Sequence, residues 1–268
     1  MPAHDRLDEP VRRSFAVGGR RLSYLDFGGD RPPLLALHGH FNEASAFARL
    51  AGDLAGRWRV LALDQRGHGD SDRADCYDRD GYVHDLAAWW GHLGLGPVAL
   101  LGHSLGGVNA YQFAARYPDR VTALVVEDIG AVCDVDTGFA ARLPRTALTR
   151  DALVTALGPV APYLSCAFRE HTDGWGYSFD VEDTIASQRA LTGDHWADWL
   201  AVRCPTLLVH GSRSDELTAE HAREMVERRS GTATLLELPA GHVVHQDAPT
   251  AFADAVAAFL TRDPAGPA

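Results

Sequence analysis

Six short apolar runs, at residues 34–37, 60–63, 98–101, 122–126, 206–209 and 234–238, punctuate the chain. Each is of strand length and largely apolar on consecutive positions, the pattern of a strand covered on both faces. Helical patterns lie between several of them, at 82–93, 106–116, 219–229 and 250–260. This alternation predicts an α/β fold: a mostly parallel central sheet with helices on both faces. Ahead of the first run, residues 12–17 and 21–27 alternate apolar and polar around Gly18-Gly19. That dipeptide accepts the positive φ of a hairpin turn, so an antiparallel pair should open the fold.

The alternation breaks between about Ile129 and Val202, where roughly seventy residues separate one strand from the next, far more than a usual connection. This interval reads as a helical cap inserted between strands. The core is then expected at 1–128 and 203–268, with the cap at 129–202. The cap is rich in aromatics, Tyr163, Phe168, Trp175, Tyr177, Phe179, Trp196 and Trp199. Pockets and packed cores both favour such residues; Trp175 and Tyr177 are taken as candidates for a substrate pocket. Residues 263–268 read as a loose tail.

Composition narrows the partners. A formal net charge of −11, with no run of Lys and Arg to override it locally, repels phosphate backbones and anionic lipid, so neither nucleic acid nor membrane is expected. The apolar runs fall far short of the roughly 20 residues that span a bilayer. Residues 1–13 are polar and lack the apolar segment of a secretory signal, so a soluble, cytoplasmic protein is expected. Cys76, Cys133, Cys166 and Cys204 are scattered, with neither metal-site spacing nor the density of a disulfide scaffold; reduced, incidental thiols are the expectation. No H-E-x-x-H or similar ligand spacing occurs, and neither metal nor cofactor is implied.

Chemistry concentrates at Gly102-His103-Ser104-Leu105-Gly106, directly after the run at 98–101 and before a helical pattern. A sharp strand-to-helix turn there strains the serine backbone and lifts its hydroxyl out of the sheet edge, which only small flanking residues permit. The following helix points free amides at the serine and favours negative charge there; the Leu105 amide is the natural first oxyanion donor. A serine hydroxyl needs a base within reach, itself held by a third group. His242 and Asp215 follow the runs at 234–238 and 206–209, and ligand sites in open α/β sheets form beyond the carboxyl ends of strands. His245, three residues on, is the rival base. Asp128, at the end of the run 122–126, is the alternative acid.

With its order Ser104, Asp215, His242, the chain closely resembles the α/β-hydrolase superfamily, in its serine-nucleophile branch. The resemblance spans nearly the whole chain. Leu37-His38-Gly39-His40 is similar to the H-G segment after the third strand, and Asp64-Gln65-Arg66-Gly67-His68-Gly69-Asp70-Ser71 to the D-x-R-G-x-G-x-S loop after the fourth. By that likeness the His40 amide is the second oxyanion donor, with its side chain turned either to substrate or to solvent. The loop at 64–71 is architectural, Asp64 and Arg66 satisfying buried backbone groups. His38, His103 and His245 are expected near the crevice without acting, although His103 is a candidate for the pocket wall.

What the resemblance implies is a serine hydrolase cleaving a small-molecule carboxylic ester or lactone through an acyl-enzyme. Serine at the elbow disfavours the relatives that use an aspartate nucleophile. Carbon–carbon bond hydrolysis or acyl transfer to an alcohol on the same triad are alternatives, and a receptor-like binding module is a further one, because fold alone does not prove function.

Overall fold

The computed structural model describes residues 9–229 and 231–261; the tail expected at 263–268 and the first eight residues of the amino-terminal segment lie outside them. The chain opens with β1 (Val11–Val17), β2 (Arg20–Asp26) and β3 (Pro33–Leu37), then α1 (Ala48–Leu54), β4 (Arg59–Leu63), α2 (Arg79–Leu93), β5 (Val98–His103), α3 (Leu105–Arg116) and β6 (Val121–Glu127). It continues through β7 (Val132–Cys133), α4 (Gly138–Arg142), α5 (Arg150–Leu157), α6 (Ala161–Leu164), β8 (Phe168–His171), β9 (Gly174–Tyr177), α7 (Val181–Leu191), β10 (Gly193–Asp194) and α8 (Trp196–Ala201). It ends with β11 (Thr206–Gly211), α9 (Ala219–Glu227), β12 (Ala233–Leu238), α10 (Val244–Asp247) and α11 (Pro249–Leu260).

Eight strands form one sheet in the order β1-β2-β4-β3-β5-β6-β11-β12. The hairpin β1–β2 turns at Gly18 and Gly19, both at positive φ. β2 pairs antiparallel with β1 and β4, and the remaining pairings are parallel. Side-chain alternation sorts the buried strands onto two faces. Leu35, Leu37, Leu100, Leu124, Val126 and Leu208 pack on one side with Trp89 of α2, Tyr111 and Phe113 of α3 and Met225 of α9. Leu34, Ala36, Ala99, Leu101, Val125 and Val209 face the other side, against Leu54 of α1 and Phe252 and Val256 of α11. The register sets Leu37 opposite Gly102 and His103 opposite Glu127, so the loops after β3, β5 and β6 leave the sheet at one edge.

The interval between β6 and β11 carries α4 to α8, but it is not wholly helical. β8 and β9 form a hairpin, and β7 pairs with β10. Its own apolar cluster includes Leu143, Leu153, Phe168, Tyr177, Phe179 and Ile185. Leu191 and Trp199 instead join the main core beside α3, and the Trp199 indole donates to the Met225 carbonyl at 2.8 Å. Among the described residues no helix is long and apolar enough to cross a membrane. All four cysteines are free.

Candidate active site

β5 runs straight into α3, and the single residue between them is Ser104. The turn is possible because no side chain occupies two of its positions: a Cβ on Gly102 would come within 2.1 Å of the Gly106 carbonyl oxygen, and one on Gly106 within 2.2 Å of that of Leu37. Ser104 has φ 52° and ψ −120°, a conformation that costs a non-glycine residue energy and persists only where the surroundings enforce it. Its amide donates to the Glu127 carbonyl at 3.0 Å and its carbonyl accepts from Gly107 at 2.8 Å, which locks the elbow between β6 and α3. Among the described residues, the other non-glycine positions with positive φ are Phe41 and Asp128, and both belong to the same site.

His242, in the loop after β12, donates from Nδ1 to Asp128 Oδ2 at 2.9 Å. Asp128 is fully buried. Its Oδ1 accepts from the Gly211 amide at 2.8 Å and faces His210 Nδ1 at 3.3 Å, while the Ser214 hydroxyl donates to Oδ2. A carboxylate beside Nδ1 fixes the tautomer with the proton on Nδ1 and leaves Nε2 free as a base. Burial pushes the His242 imidazole down, but the hydrogen bond and charge of Asp128 override it, so its pKa sits above the ordinary 6.5.

Asp215, expected to hold the base, does not. It is exposed, and its neighbour Ser214 makes the contact with Asp128. The reason is the turn that closes β11: Ser214 N donates to Gly211 O at 2.8 Å and Arg213 N to Ala240 O at 2.9 Å, which aims the serine inward and sends the aspartate outward. The carboxylate at His242 comes from the end of β6 instead.

The rival base, His245, has its own acid. Its Nδ1 lies 2.9 Å from both carboxylate oxygens of Glu127, which also accepts its backbone amide at 2.8 Å. Adjacent residues at the end of β6 thus serve two imidazoles, and the Glu127 pair is wholly buried. His103 Nε2 donates to the His242 carbonyl at 3.0 Å, steadying that loop from the elbow. Burial pulls the His103 imidazole down to about 3, so it is a neutral prop.

The Leu105 amide stands in the first turn of α3, where a helix has no partner for it, and His40 begins the turn after β3. The His40 side chain is not turned to solvent. It is buried, and Nε2 meets the Ser187 hydroxyl of α7 at 2.8 Å, which in turn meets the Tyr82 hydroxyl at 2.8 Å. His38 is a strut: Nδ1 donates to the Gly39 carbonyl and Nε2 accepts from the Gln65 amide at 3.0 Å. The loop at 64–71 is architectural: Asp64 accepts from the amides of Ala44 and Asp70, and Arg66 donates to the Cys76 carbonyl and pairs with Asp85.

Ser104 and His242 open into a pocket of about 370 Å³. Its walls combine His40, Phe41 and His103 from the core with Phe139, Tyr163 and Leu191 from the inserted segment. Trp175 and Tyr177 are not on this wall. Tyr177 stacks on Phe179 at 4.7 Å inside the cap cluster and borders a second, open cavity; Trp175 packs on the same cluster, its strand bonded to Ala147. The hairpin β8–β9 holds both away from Ser104. Phe139, Val160, Leu164 and Gln188 line the pocket without any sequence signal beyond membership of the inserted segment. Tyr163 crosses from that segment to donate to Asp247 at 2.9 Å, and the other oxygen of Asp247 accepts from the Gly241 amide at 2.7 Å. The inserted segment is thereby tied to the loop that carries His242.

An alpha/beta hydrolase family model matches residues 34–255, most of the chain and every site residue just described. The chain belongs to that family. An sn-1-specific diacylglycerol lipase of Mus musculus is 31% identical over 273 residues, covering 89% of this chain and 85% of the relative. The Danio rerio lipase of the same description is 29% identical, covering 96% and 87%. A solved E-2-(acetamidomethylene)succinate hydrolase superposes with a TM-score of 0.84 at 24% identity, over 95% of this chain and all of that one, a likeness of fold. Family membership and lipase-named relatives support a hydrolase.

Proposed function

We propose that the chain is a serine hydrolase that cleaves a small-molecule carboxylic ester or lactone through an acyl-enzyme. The observation that carries this is the pairing of His242 Nδ1 with buried Asp128 beside a strained elbow serine in one pocket. Ser104 attacks the carbonyl carbon while His242 Nε2 takes its proton; the resulting oxyanion is met by the amides of Leu105 and His40. Collapse expels the alcohol, which receives the proton from His242. Water, deprotonated by the same imidazole, then cleaves the acyl-enzyme and restores the serine. Asp128 stabilises the imidazolium in both halves. The relatives named as lipases favour an ester as substrate, and the apolar pocket wall suits an acyl chain. The inserted segment is the cap that sets substrate range.

A fluorophosphonate probe should label Ser104, and Ser104→Ala should abolish both labelling and hydrolysis of an aryl ester while far-ultraviolet circular dichroism stays unchanged. Removing a triad nucleophile costs several orders of magnitude; retention of more than about a tenth of wild-type turnover, against that precedent, would overturn the assignment.

A further inference from the structure

One polar group in the pocket has no use in the chemistry just described. Gln188 lines the wall beside Leu191, is 4% exposed, and its Oε1 is buried with no hydrogen-bond partner. A buried amide oxygen without a donor is destabilising, and buried side-chain polar atoms are otherwise almost always paired. Its place in the backbone is fixed. It stands on α7 between Ser187, whose hydroxyl is held by His40 and Tyr82, and Leu191, packed in the main core. α7 is fastened at its start as well, since Asp180 caps it by accepting from the amides of Glu182 and Asp183. The backbone that carries the amide is therefore held at the wall by a helix that is also bonded to the His40 side chain, while the amide itself has no hydrogen bond at Oε1 and is brought to a ligand by rotation about its own side-chain bonds.

Most of its company in the pocket is apolar: Phe41, Ile129, Val135, Phe139, Val160 and Leu164. An unsubstituted acyl chain would bury Gln188 without compensating it. A chain bearing a hydroxyl or an amide N–H at the matching carbon would supply the missing donor. We propose that Gln188 reads a hydrogen-bond donor on an otherwise apolar substrate chain, so that the preferred ligands are hydroxylated or amide-bearing acyl compounds rather than plain fatty esters. This rests on the pocket at Ser104 being the substrate site, but not on the ester chemistry.

Binding and turnover separate the two. In the Ser104→Ala chain, calorimetric titration with methyl hexanoate and its 3-hydroxy and 6-hydroxy analogues should show tighter binding of at least one hydroxy compound. Adding Gln188→Leu, or Gln188→Met as a second variant of similar size, should erase that preference by about tenfold or more, the discrimination expected when a buried polar group loses its partner. In the Ser104 chain the matching aryl esters should show the same change in the ratio of kcat/KM. Thermal unfolding adds a readout that a structural role would move the other way: removing an unpaired buried amide should leave Tm equal or raise it. Equal affinity for plain and hydroxy ligands with Gln188 in place, or a preference that survives both variants, overturns the proposal. Failure to hydrolyse any ester while the hydroxyl preference persists in binding would instead overturn the catalytic reading and leave this one standing.

Discussion

Four groups converge on the Asp128 carboxylate, the Gly211 amide, the Ser214 hydroxyl and the imidazoles of His210 and His242. A carboxylate so saturated is fixed in orientation, which is what an imidazole needs from its partner. Asp128→Asn should lower kcat by about 10⁴, on the precedent of serine proteases, while Asp215→Asn, at an exposed position, should cost little; steady-state kinetics on one aryl ester ranks them, and the reverse ranking would return the role to Asp215. A pH profile reads the same bond. His242 acts only when neutral, and its pKa is raised above 6.5, so kcat/KM should climb with pH through an acid limb whose midpoint lies above that value. Without the Asp128 hydrogen bond and charge, only the weaker pull of Glu216 and Glu127 opposes burial, and the midpoint should fall. An acid limb at or below 6.5 in the wild-type chain would show that the pair is not coupled as drawn. That the carboxylate beside His242 comes from the residue after β6 was not decided by the sequence, because both Asp128 and Asp215 follow apolar runs. What separates them is backbone conformation: Asp128 has φ 51°, which turns it toward the β11 edge, while the tight turn at Gly211–Ser214 turns Asp215 out.

At the scale of elements, the sheet and the place of the inserted segment were readable, and the packing inside that segment was not. Buried strands announce themselves as runs such as Leu34–Leu37 because neither face meets water, and the glycines of the elbow are demanded by backbone contacts that any residue with a Cβ would violate. The cap carries aromatics throughout, and composition does not say which way each one points. Trp175 and Tyr177 went to a hairpin that packs on its own cluster, whereas Phe139, in short α4, meets Phe41 edge-on with ring centroids 5.2 Å apart on the pocket wall. Phe139→Ala should therefore shift preference toward longer or bulkier acyl chains in a series of aryl esters, since a ring on the pocket wall is replaced by space. Trp175→Ala should not change the ranking of chain lengths. If the tryptophan variant re-ranked the series and the phenylalanine variant did not, the hairpin rather than α4 would be setting the pocket.

Across the whole molecule, the site rests on imidazoles kept neutral in the interior, and this makes stability depend on pH in a definite direction. Burial pulls His38 down to about 4 and His68 and His103 to about 3, and His40 falls well below 6.5 as well. In the unfolded chain each takes up a proton near pH 6.5; in the folded chain none does until the solution is far more acidic. The stability these groups confer is complete above pH 6.5 and drains away as pH falls from there toward about 4, by up to about 1.4 kcal/mol per pH unit for each ring. His242 has the opposite sign: its raised pKa adds stability below pH 6.5 that is lost as pH rises through the folded value, one ring against four. Acidification from pH 7.5 to 5 should therefore lower the urea midpoint, with little change between pH 7.5 and 8.5. His68 isolates one contribution, because its Nδ1 serves the Arg66 carbonyl while its Nε2 is buried without a partner, and it does not line the pocket at Ser104. His68→Leu should flatten the acid slope by about one proton. An unaltered slope in that variant, or a wild-type midpoint that stays level down to pH 5, would mean that these rings are protonated in the folded chain and that the histidine-rich edge of the sheet is wetter than its packing implies.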